Sequence, residues 1–185
     1  LLEKNGFTVE LGAGEVPTAI KATWGSGKPV IGFLGEYDAL PGLSQKVSTE
    51  KEPVTPGAAG QGCGHNLLGV ACLGAALGMK AELEATGKEG TVVFYGCPAE
   101  EVLTGKAFMA RGGAFTELDA AFSWHGSTNN HVTLGTMTGL NSAIFHFTGV
   151  TAHAGGDPHN GRSALDACEL MNVGVNYLRE HIIPE

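Results

Sequence analysis

The sequence predicts an α/β fold in which a mixed sheet is flanked by helices. Residues 30–35 and 91–96 are almost wholly apolar, which is typical of strands that are buried on both faces. A long apolar segment of helical character, residues 66–85, lies between them. Strand, helix and strand in alternation indicate a parallel or mixed sheet covered by helices. The 185 residues suit one ordinary domain, or a domain and part of another.

The remaining elements follow from local composition. Residues 1–9 suggest the end of a helix, then Gly6 and a first strand, and residues 19–24 predict a second strand before a turn at 25–29. The polar residues 43–60, rich in proline and glycine, predict a loop.

A glycine-rich loop at residues 60–69 follows. That loop enters the long helix, with Asn66 as its predicted N-cap and an end near Gly87. After the strand at 91–96, we expect a short helix at 105–111 and a strand at 119–124.

The pattern changes beyond residue 139, and we predict a domain boundary near 138–141. Residues 142–150 alternate like a half-exposed strand, residues 151–162 form a long loop, and 163–180 predict an amphipathic helix. The expected domains are therefore 1–139 and 140–185. The second would be the start of an α+β domain that this stretch of chain does not complete.

Composition excludes several function classes. The formal charge of −8 argues against nucleic acid or an anionic membrane as a partner. The longest apolar run, residues 67–79, is predicted to be too short and too rich in glycine to span a bilayer. Four cysteines without paired spacing favour a reducing, cytoplasmic setting. The chain does not begin with Met, and we expect it to be part of a longer protein.

Polar side chains follow the predicted strands at their carboxyl ends. They are Glu36, Asp38, Glu100, Glu101 and His125. In such sheets, ligands bind just outside the carboxyl ends of the strands. We therefore expect these side chains to converge on one site.

A mixed sulfur, nitrogen and oxygen donor set is available there. Cys63, His65, His125 and one of the glutamates Glu100 and Glu101 suit zinc, with manganese as an alternative. The second glutamate would then be free to move a proton. A structural zinc site would be closed and rich in cysteine, so this pattern favours catalysis. A packed thiol at position 63 and a Cys/His nucleophilic hydrolase are the alternatives, although the nucleophilic hydrolase leaves the glutamate pair without a role.

Four motifs together resemble the metallo-aminoacylase/carboxypeptidase family. They are Gly-Glu-Tyr-Asp-Ala-Leu-Pro at 35–41, Gly-Cys-Gly-His-Asn at 62–66, Cys-Pro-Ala-Glu-Glu at 97–101 and Trp-His-Gly at 124–126. Within the family the motifs are similar to the branch of hippurate, auxin-conjugate and p-aminobenzoyl-glutamate hydrolases. Residues 161–181 resemble the lid domain of the last of these groups.

The resemblance implies a phosphorylase/hydrolase-like catalytic domain that binds two divalent metals, zinc or manganese. Cys63 would bridge the metals, His65, Glu101 and His125 would be further ligands, and Glu100 would be the general base. The roles of Glu36 and Asp38 stay open.

The resemblance also implies that residues 140–185 begin an inserted lid and dimerisation domain. His153 would reach across a dimer to polarise the partner's scissile carbonyl. Asn160 and Arg162 are candidates for binding a substrate carboxylate, although a salt bridge within the lid is an alternative for Arg162.

The implied activity is metal-dependent hydrolysis of the amide bond of an N-acyl or N-aroyl amino acid, through a metal-activated water. The substrate would resemble p-aminobenzoyl-glutamate or a dipeptide, and the protein would be a homodimer or pair with a sister subunit. A non-catalytic or regulatory subunit with the same fold is the alternative. Family members supply a last metal-binding histidine near their C-terminus, and its counterpart would lie beyond residue 185.

Overall fold

A computed structural model describes residues 1–133 and 135–183. Two compact units make up the chain, Leu1–Asn130 and His131–Glu185. The domain boundary near residues 138–141 stays a prediction, because compact units need not coincide with the domains of a whole protein.

A five-stranded mixed sheet forms the centre of the first unit, in the order β1-β2-β4-β3-β5. Its strands are β1 (Thr8–Leu11), β2 (Ile20–Ser26), β3 (Val30–Glu36), β4 (Gly90–Cys97) and β5 (Ala120–Phe122). Strand β3 runs parallel to β4 and β5, whereas β2 is antiparallel to β1 and β4. The predicted α/β class with a mixed sheet is confirmed. Because Glu36 pairs with Cys97 in the parallel ladder, β3 and β4 end at the same edge.

Helix α1 (His65–Thr86) packs against β3 and β4. Its buried face is built from side chains four or seven positions apart, as a helix face requires: Leu68, Cys72, Ala76 and Leu83. These side chains join Val92 and Phe94 of β4 in one apolar cluster.

By length and composition alone, α1 could cross a membrane, since it has 22 residues and a mean hydropathy of 1.3 in its most apolar window. The helix is therefore longer than the apolar run at 67–79, which was predicted to be too short to span a bilayer. A helix that packs on a protein core can meet the same criterion, so this finding assigns no membrane contact.

The start of α1 differs from the prediction. Asn66 is not its N-cap but the second residue of the helix, and Gly64 occupies the cap position with a φ of +83°. Glycine adopts this left-handed conformation without the steric cost of a side chain. The side chain of Gln61 replaces the predicted cap, because its Oε1 accepts the Asn66 N–H at 3.0 Å.

Two short elements complete the first unit. Helix α2 has the predicted bounds, Gly105–Arg111. Strand β5 is shorter than predicted at both ends. Just before it, Asp119 accepts the Val30 N–H with its carboxylate at 2.7 Å and donates its own backbone N–H to the Val30 oxygen at 2.9 Å. Beyond β5 the chain continues without regular structure to His125.

In the second unit, the predicted strand at 142–150 is wrong. These residues are all described and only Val150 forms a β-bridge, with Arg162. A strand exists only through hydrogen bonds to a neighbouring strand, and the described part of this unit contains none. The predicted helix is confirmed as α3 (Ala164–Leu178), with a 3-10 turn at Arg179–His181.

Ser163 caps α3, since its Oγ accepts the Asp166 N–H at 3.1 Å and donates to the Asp166 carboxylate at 2.8 Å. We expect Ser163→Ala to lower the free energy of unfolding of the full-length protein by about 1 kcal/mol, because an N–H of the first turn loses its acceptor. Urea denaturation measures this change. Ser163→Asp, which keeps an acceptor oxygen, should restore the stability; equal stability of the serine and alanine proteins would contradict the role of the cap.

Candidate metal centre

The candidate centre lies at the carboxyl edge of β3 and β4. Glu36 is the last residue of β3, and the glutamates Glu100 and Glu101 follow β4. The glycine-rich loop before α1 supplies Cys63, and α1 begins with His65. His125 follows β5 and completes the convergence that the sequence predicts.

His65 is the most buried side chain of the centre, with 1% of its surface exposed. Its Nδ1 lies 3.2 Å from the backbone oxygen of Asp38 and 3.0 Å from the carboxylate Oδ1 of the same residue. Because both are acceptors, Nδ1 carries a hydrogen, and in the neutral ring Nε2 presents a lone pair. Asp38 thereby fixes the orientation and the tautomer of His65.

The Nε2 atom of His65 faces three carboxylates. It lies 3.1 Å from Glu36 Oε2, 3.5 Å from Glu100 Oε2 and 3.8 Å from Glu101 Oε1. Among the described residues, neither this Nε2 nor Glu101 Oε1 has a hydrogen-bond partner, although both are buried. Buried polar atoms without partners are costly. A cation among these atoms would satisfy all of them.

Cys63 and His125 form the second half of the centre. The sulfur lies 3.2 Å from Nε2 of His125, whose Nδ1 lies 3.0 Å from the backbone oxygen of Gly126. Since that oxygen only accepts, Nε2 of the neutral ring is free to bind an ion. The ligand atoms of Cys63, His65 and His125 lie within 4.8 Å of one another. Thiolate, imidazole and carboxylate donors at this spacing fit a divalent transition metal.

The pKa of the Cys63 thiol is raised above its usual value. Burial is the largest cause, followed by the charge and hydrogen bond of Glu101 and by the charges of Glu100 and Glu36. A nearby divalent cation would oppose this rise of the pKa, because it favours the thiolate. The centre therefore has an excess of negative charge that suits metal ions.

The turn after β4 positions the two glutamates. Ala99 and Leu103 adopt positive φ angles of 55° and 56°, which few residues with side chains do. Gly105 closes the turn, because a side chain there would place its Cβ 1.7 Å from the backbone oxygen of Pro98. Helix α2 thus begins directly against the segment that holds Glu100 and Glu101.

Two residues have roles at the centre that the sequence pattern did not reveal. Asp38 orients His65 and also accepts the Glu101 N–H at 3.0 Å. Lys106, in the first turn of α2, forms an ion pair with Oε1 of Glu36. A lysine at the start of a short helix has no sequence pattern that distinguishes it from a solvated one, so only the structure could identify this pair.

His153, Asn160 and Arg162 lie in the second unit, in a loop with its own hydrogen bonds. Nδ1 of His153 accepts the N–H groups of residues 155 and 156, at 3.1 and 2.9 Å. Arg162 donates to two backbone oxygens of the loop, at 3.1 and 2.6 Å, and the Asn160 amide donates to Asp157 at 3.4 Å. The substrate-binding roles of Asn160 and Arg162 stay predictions.

Several known proteins are similar to the chain, although no family model matches it. It is 52% identical over 184 residues to one subunit of the p-aminobenzoyl-glutamate hydrolase from Escherichia coli, covering 98% of this chain and 38% of that protein. It is 33% identical to the human Xaa-Arg dipeptidase, covering 92% of this chain and 38% of that enzyme. A second subunit of the Escherichia coli hydrolase is 29% identical, over 89% of this chain and 40% of that protein.

Two solved structures share the fold. A dinuclear metal-binding peptidase of the M20 family from Bacillus subtilis superposes with a TM-score of 0.55 at 23% identity, over 68% of this chain and 34% of that one. An aminohydrolase from methicillin-resistant Staphylococcus aureus gives a TM-score of 0.61 at 21% identity, over 99% of this chain and 51% of that one.

The chain spans less than two fifths of the length of the human dipeptidase and of the more similar Escherichia coli protein. The match to that Escherichia coli protein nevertheless covers 98% of this chain. The chain belongs to the metallo-aminoacylase/carboxypeptidase family, in the branch that contains the p-aminobenzoyl-glutamate hydrolase proteins.

Proposed function

We propose that this chain contains most of the metal centre of an amidohydrolase that cleaves the amide bond of an N-acyl or N-aroyl amino acid. One observation supports this most directly. The buried Nε2 of His65 has no hydrogen-bond partner among the described residues and faces three carboxylates, beside the Cys63–His125 pair. Two groups of candidate ligands have His65 in common, so all of these side chains surround the same buried nitrogen.

In this proposal Cys63, His65, Glu101 and His125 hold zinc or manganese ions. When bound, such ions polarise a carbonyl and make water acidic enough to be deprotonated near neutral pH. Asp38 keeps Nε2 of His65 directed into the centre and holds the backbone of Glu101, so that the ligands are oriented before an ion binds.

Glu100 is the proposed general base. Its side chain is 29% exposed, against 19% for Glu101, so it is the more accessible of the two glutamates to water and substrate. Glu101 has a buried oxygen without a partner among the described residues and a backbone fixed by Asp38, which suits a ligand. Glu100 would take a proton from the attacking water and return it to the leaving nitrogen.

The substrate class is proposed from the relatives. One is a hydrolase of p-aminobenzoyl-glutamate and another a dipeptidase that acts on Xaa-Arg. Both names describe an amino acid in amide linkage, so we infer an N-aroyl amino acid or a dipeptide as the substrate of this protein. The identity of the acyl group and of the amino acid stays open between these two chemistries.

The relatives also support an assembly. Two of them are named as different subunits of one hydrolase, which favours a hetero-oligomer with a sister subunit; a homodimer is the alternative. The same naming supports the second candidate function, in which the protein is non-catalytic or regulatory. The cytoplasmic location stays a prediction.

Removal of the metal tests the proposed function. We expect the full-length protein to lose hydrolysis of p-aminobenzoyl-glutamate or dipeptides after dialysis against a chelator, because the centre then lacks its Lewis acid. Addition of zinc or manganese should restore the activity, measured as release of the free amino acid.

Three other outcomes have distinct meanings. Activity that survives complete metal removal would contradict the proposal and favour a thiol nucleophile at Cys63. Metal binding without activity towards any amide substrate would favour the non-catalytic role. A protein that binds no divalent ion would contradict the metal centre itself.

A further inference from the structure

We propose that Glu36 is a further metal ligand of this centre and that Lys106 holds its carboxylate in position. The inference rests on the proposed function, since it concerns the same site. It adds one carboxylate ligand, and a lysine that positions this carboxylate, to the ligands that the sequence motifs predict.

Glu36 is placed for this role by its strand. It ends β3 and is 7% exposed, so its carboxylate lies inside the centre and not on the protein surface. One oxygen, Oε1, is paired with the ammonium group of Lys106. The other, Oε2, lies 3.1 Å from Nε2 of His65. The carboxylate therefore has one oxygen held by a lysine and one directed at the unpartnered imidazole nitrogen.

Glu36 Oε2 and His65 Nε2 are not joined by a hydrogen bond. At 3.1 Å they are close enough for one, yet Nε2 has no hydrogen-bond partner among the described residues, so the two atoms are not aligned as donor and acceptor. Asp38 also holds the ring hydrogen on Nδ1, which leaves two acceptor atoms adjacent in a buried place. Such a contact is unfavourable unless a cation lies beside both atoms.

The separation of the two atoms agrees with a shared ion. Nitrogen and carboxylate oxygen bind zinc at about 2.1 Å, so two of them on one ion, at angles of about 90° to 110°, lie roughly 3.0–3.4 Å apart. The observed 3.1 Å falls in this range. Glu100 Oε2 lies 3.5 Å from the same nitrogen, which leaves the proposed general base directly beside the ion.

Lys106 explains how Glu36 is held there. Four carboxylates surround the His65 ring, those of Glu36, Asp38, Glu100 and Glu101, and the lysine neutralises part of their charge. By occupying Oε1 it leaves Oε2 as the oxygen that can bind an ion. Lys106 is therefore a positioning residue, and we expect its removal to change the centre less than removal of Glu36.

Metal binding by the full-length protein tests this inference without reference to catalysis. The variants are Glu36→Gln, Glu36→Asp, Lys106→Met and the control Glu117→Gln, which removes a glutamate paired with Lys21 at 2.6 Å outside the centre. The readouts are zinc affinity by competition with a chromophoric chelator and the visible absorption spectrum of the Co²⁺-loaded protein, which reports the ligand set.

We expect Glu36→Gln to weaken zinc binding by about 10- to 100-fold or more, the range found when even supporting residues of metal sites are lost, and to change the Co²⁺ spectrum. Glu36→Asp, which keeps a carboxylate, should retain part of the affinity. Lys106→Met should lower the affinity less and leave the bands of the Co²⁺ spectrum in place, and Glu117→Gln should match the unchanged protein.

The contradicting results separate this inference from the proposed function. Equal losses of affinity in Glu36→Gln and Lys106→Met, both with an unchanged Co²⁺ spectrum, would show that the two residues form only a structural ion pair. Normal zinc binding by Glu36→Gln would overturn the inference and leave the metal centre intact. If the unchanged protein bound neither Zn²⁺ nor Co²⁺, both the inference and the proposed function would fail.

Discussion

Replacement of Glu100 by glutamine in the full-length protein should lower kcat by about 10²-fold or more while the metal content stays the same. The reason is that an amide cannot take the proton of the attacking water, yet it has nearly the size of the carboxylate it replaces. Steady-state kinetics, together with metal analysis of the same preparation, measures both quantities. A large loss of kcat without loss of metal would identify Glu100 as the base.

Glu101→Gln is the matched comparison, because it makes the same chemical change at the neighbouring position. Glu101 has a buried oxygen 3.8 Å from His65 Nε2, so we expect this variant to lose metal as well as activity. Equal metal contents and equal losses of activity in the two variants would contradict the division of roles between the glutamates.

His153→Ala should lower kcat by about 10²- to 10³-fold, the typical effect of removing one donor to a developing oxyanion, with little change in metal content. The structure supports a donor role for this side chain. Its Nδ1 accepts two backbone N–H groups, so the neutral ring carries its hydrogen on Nε2 and can donate it. Kinetics of the full-length variant measures the effect, and His159→Ala, in the same loop, is the control.

A mixing experiment tests whether His153 acts in its own protomer or in a partner. If the histidine is lent across a dimer, inactive His153→Ala and inactive Glu100→Gln protomers should recover partial activity together, because one site of each hybrid has both groups. A mixture that stays inactive after confirmed exchange of protomers would contradict the lent histidine.

Elements with a strong local pattern were predictable from the sequence. The strands β3 and β4 are apolar runs bounded by polar residues and glycine, and α2 was predicted with its observed bounds. The convergence of the polar side chains that follow β3, β4 and β5 was predicted from a general property of such sheets, that their parallel strands end at one edge. Cys63 and His65 reach the same edge from the loop before α1 and its first residue. Side-chain chemistry and chain order were sufficient for these conclusions.

The two wrong predictions have a common physical cause. In each case the outcome depends on the path of the backbone or on a hydrogen-bond partner elsewhere in the chain, and the local residue pattern specifies neither. Asn66 has the right chemistry for an N-cap, but the chain turns at Gly64 and the Gln61 side chain supplies the acceptor. Residues 142–150 alternate like a strand, but alternation without a neighbouring strand in the described chain gives no sheet.

The sequence by itself therefore determined the fold class, the family and most of the candidate ligands of the centre, because these depend on residue types in chain order. Only the tertiary structure decided how the donors are held. Asp38 fixes the His65 ring, and Lys106 binds the Glu36 carboxylate from a helix 70 residues further along the chain. Such contacts depend on distances of a few ångströms between separate elements, and no local pattern specifies them.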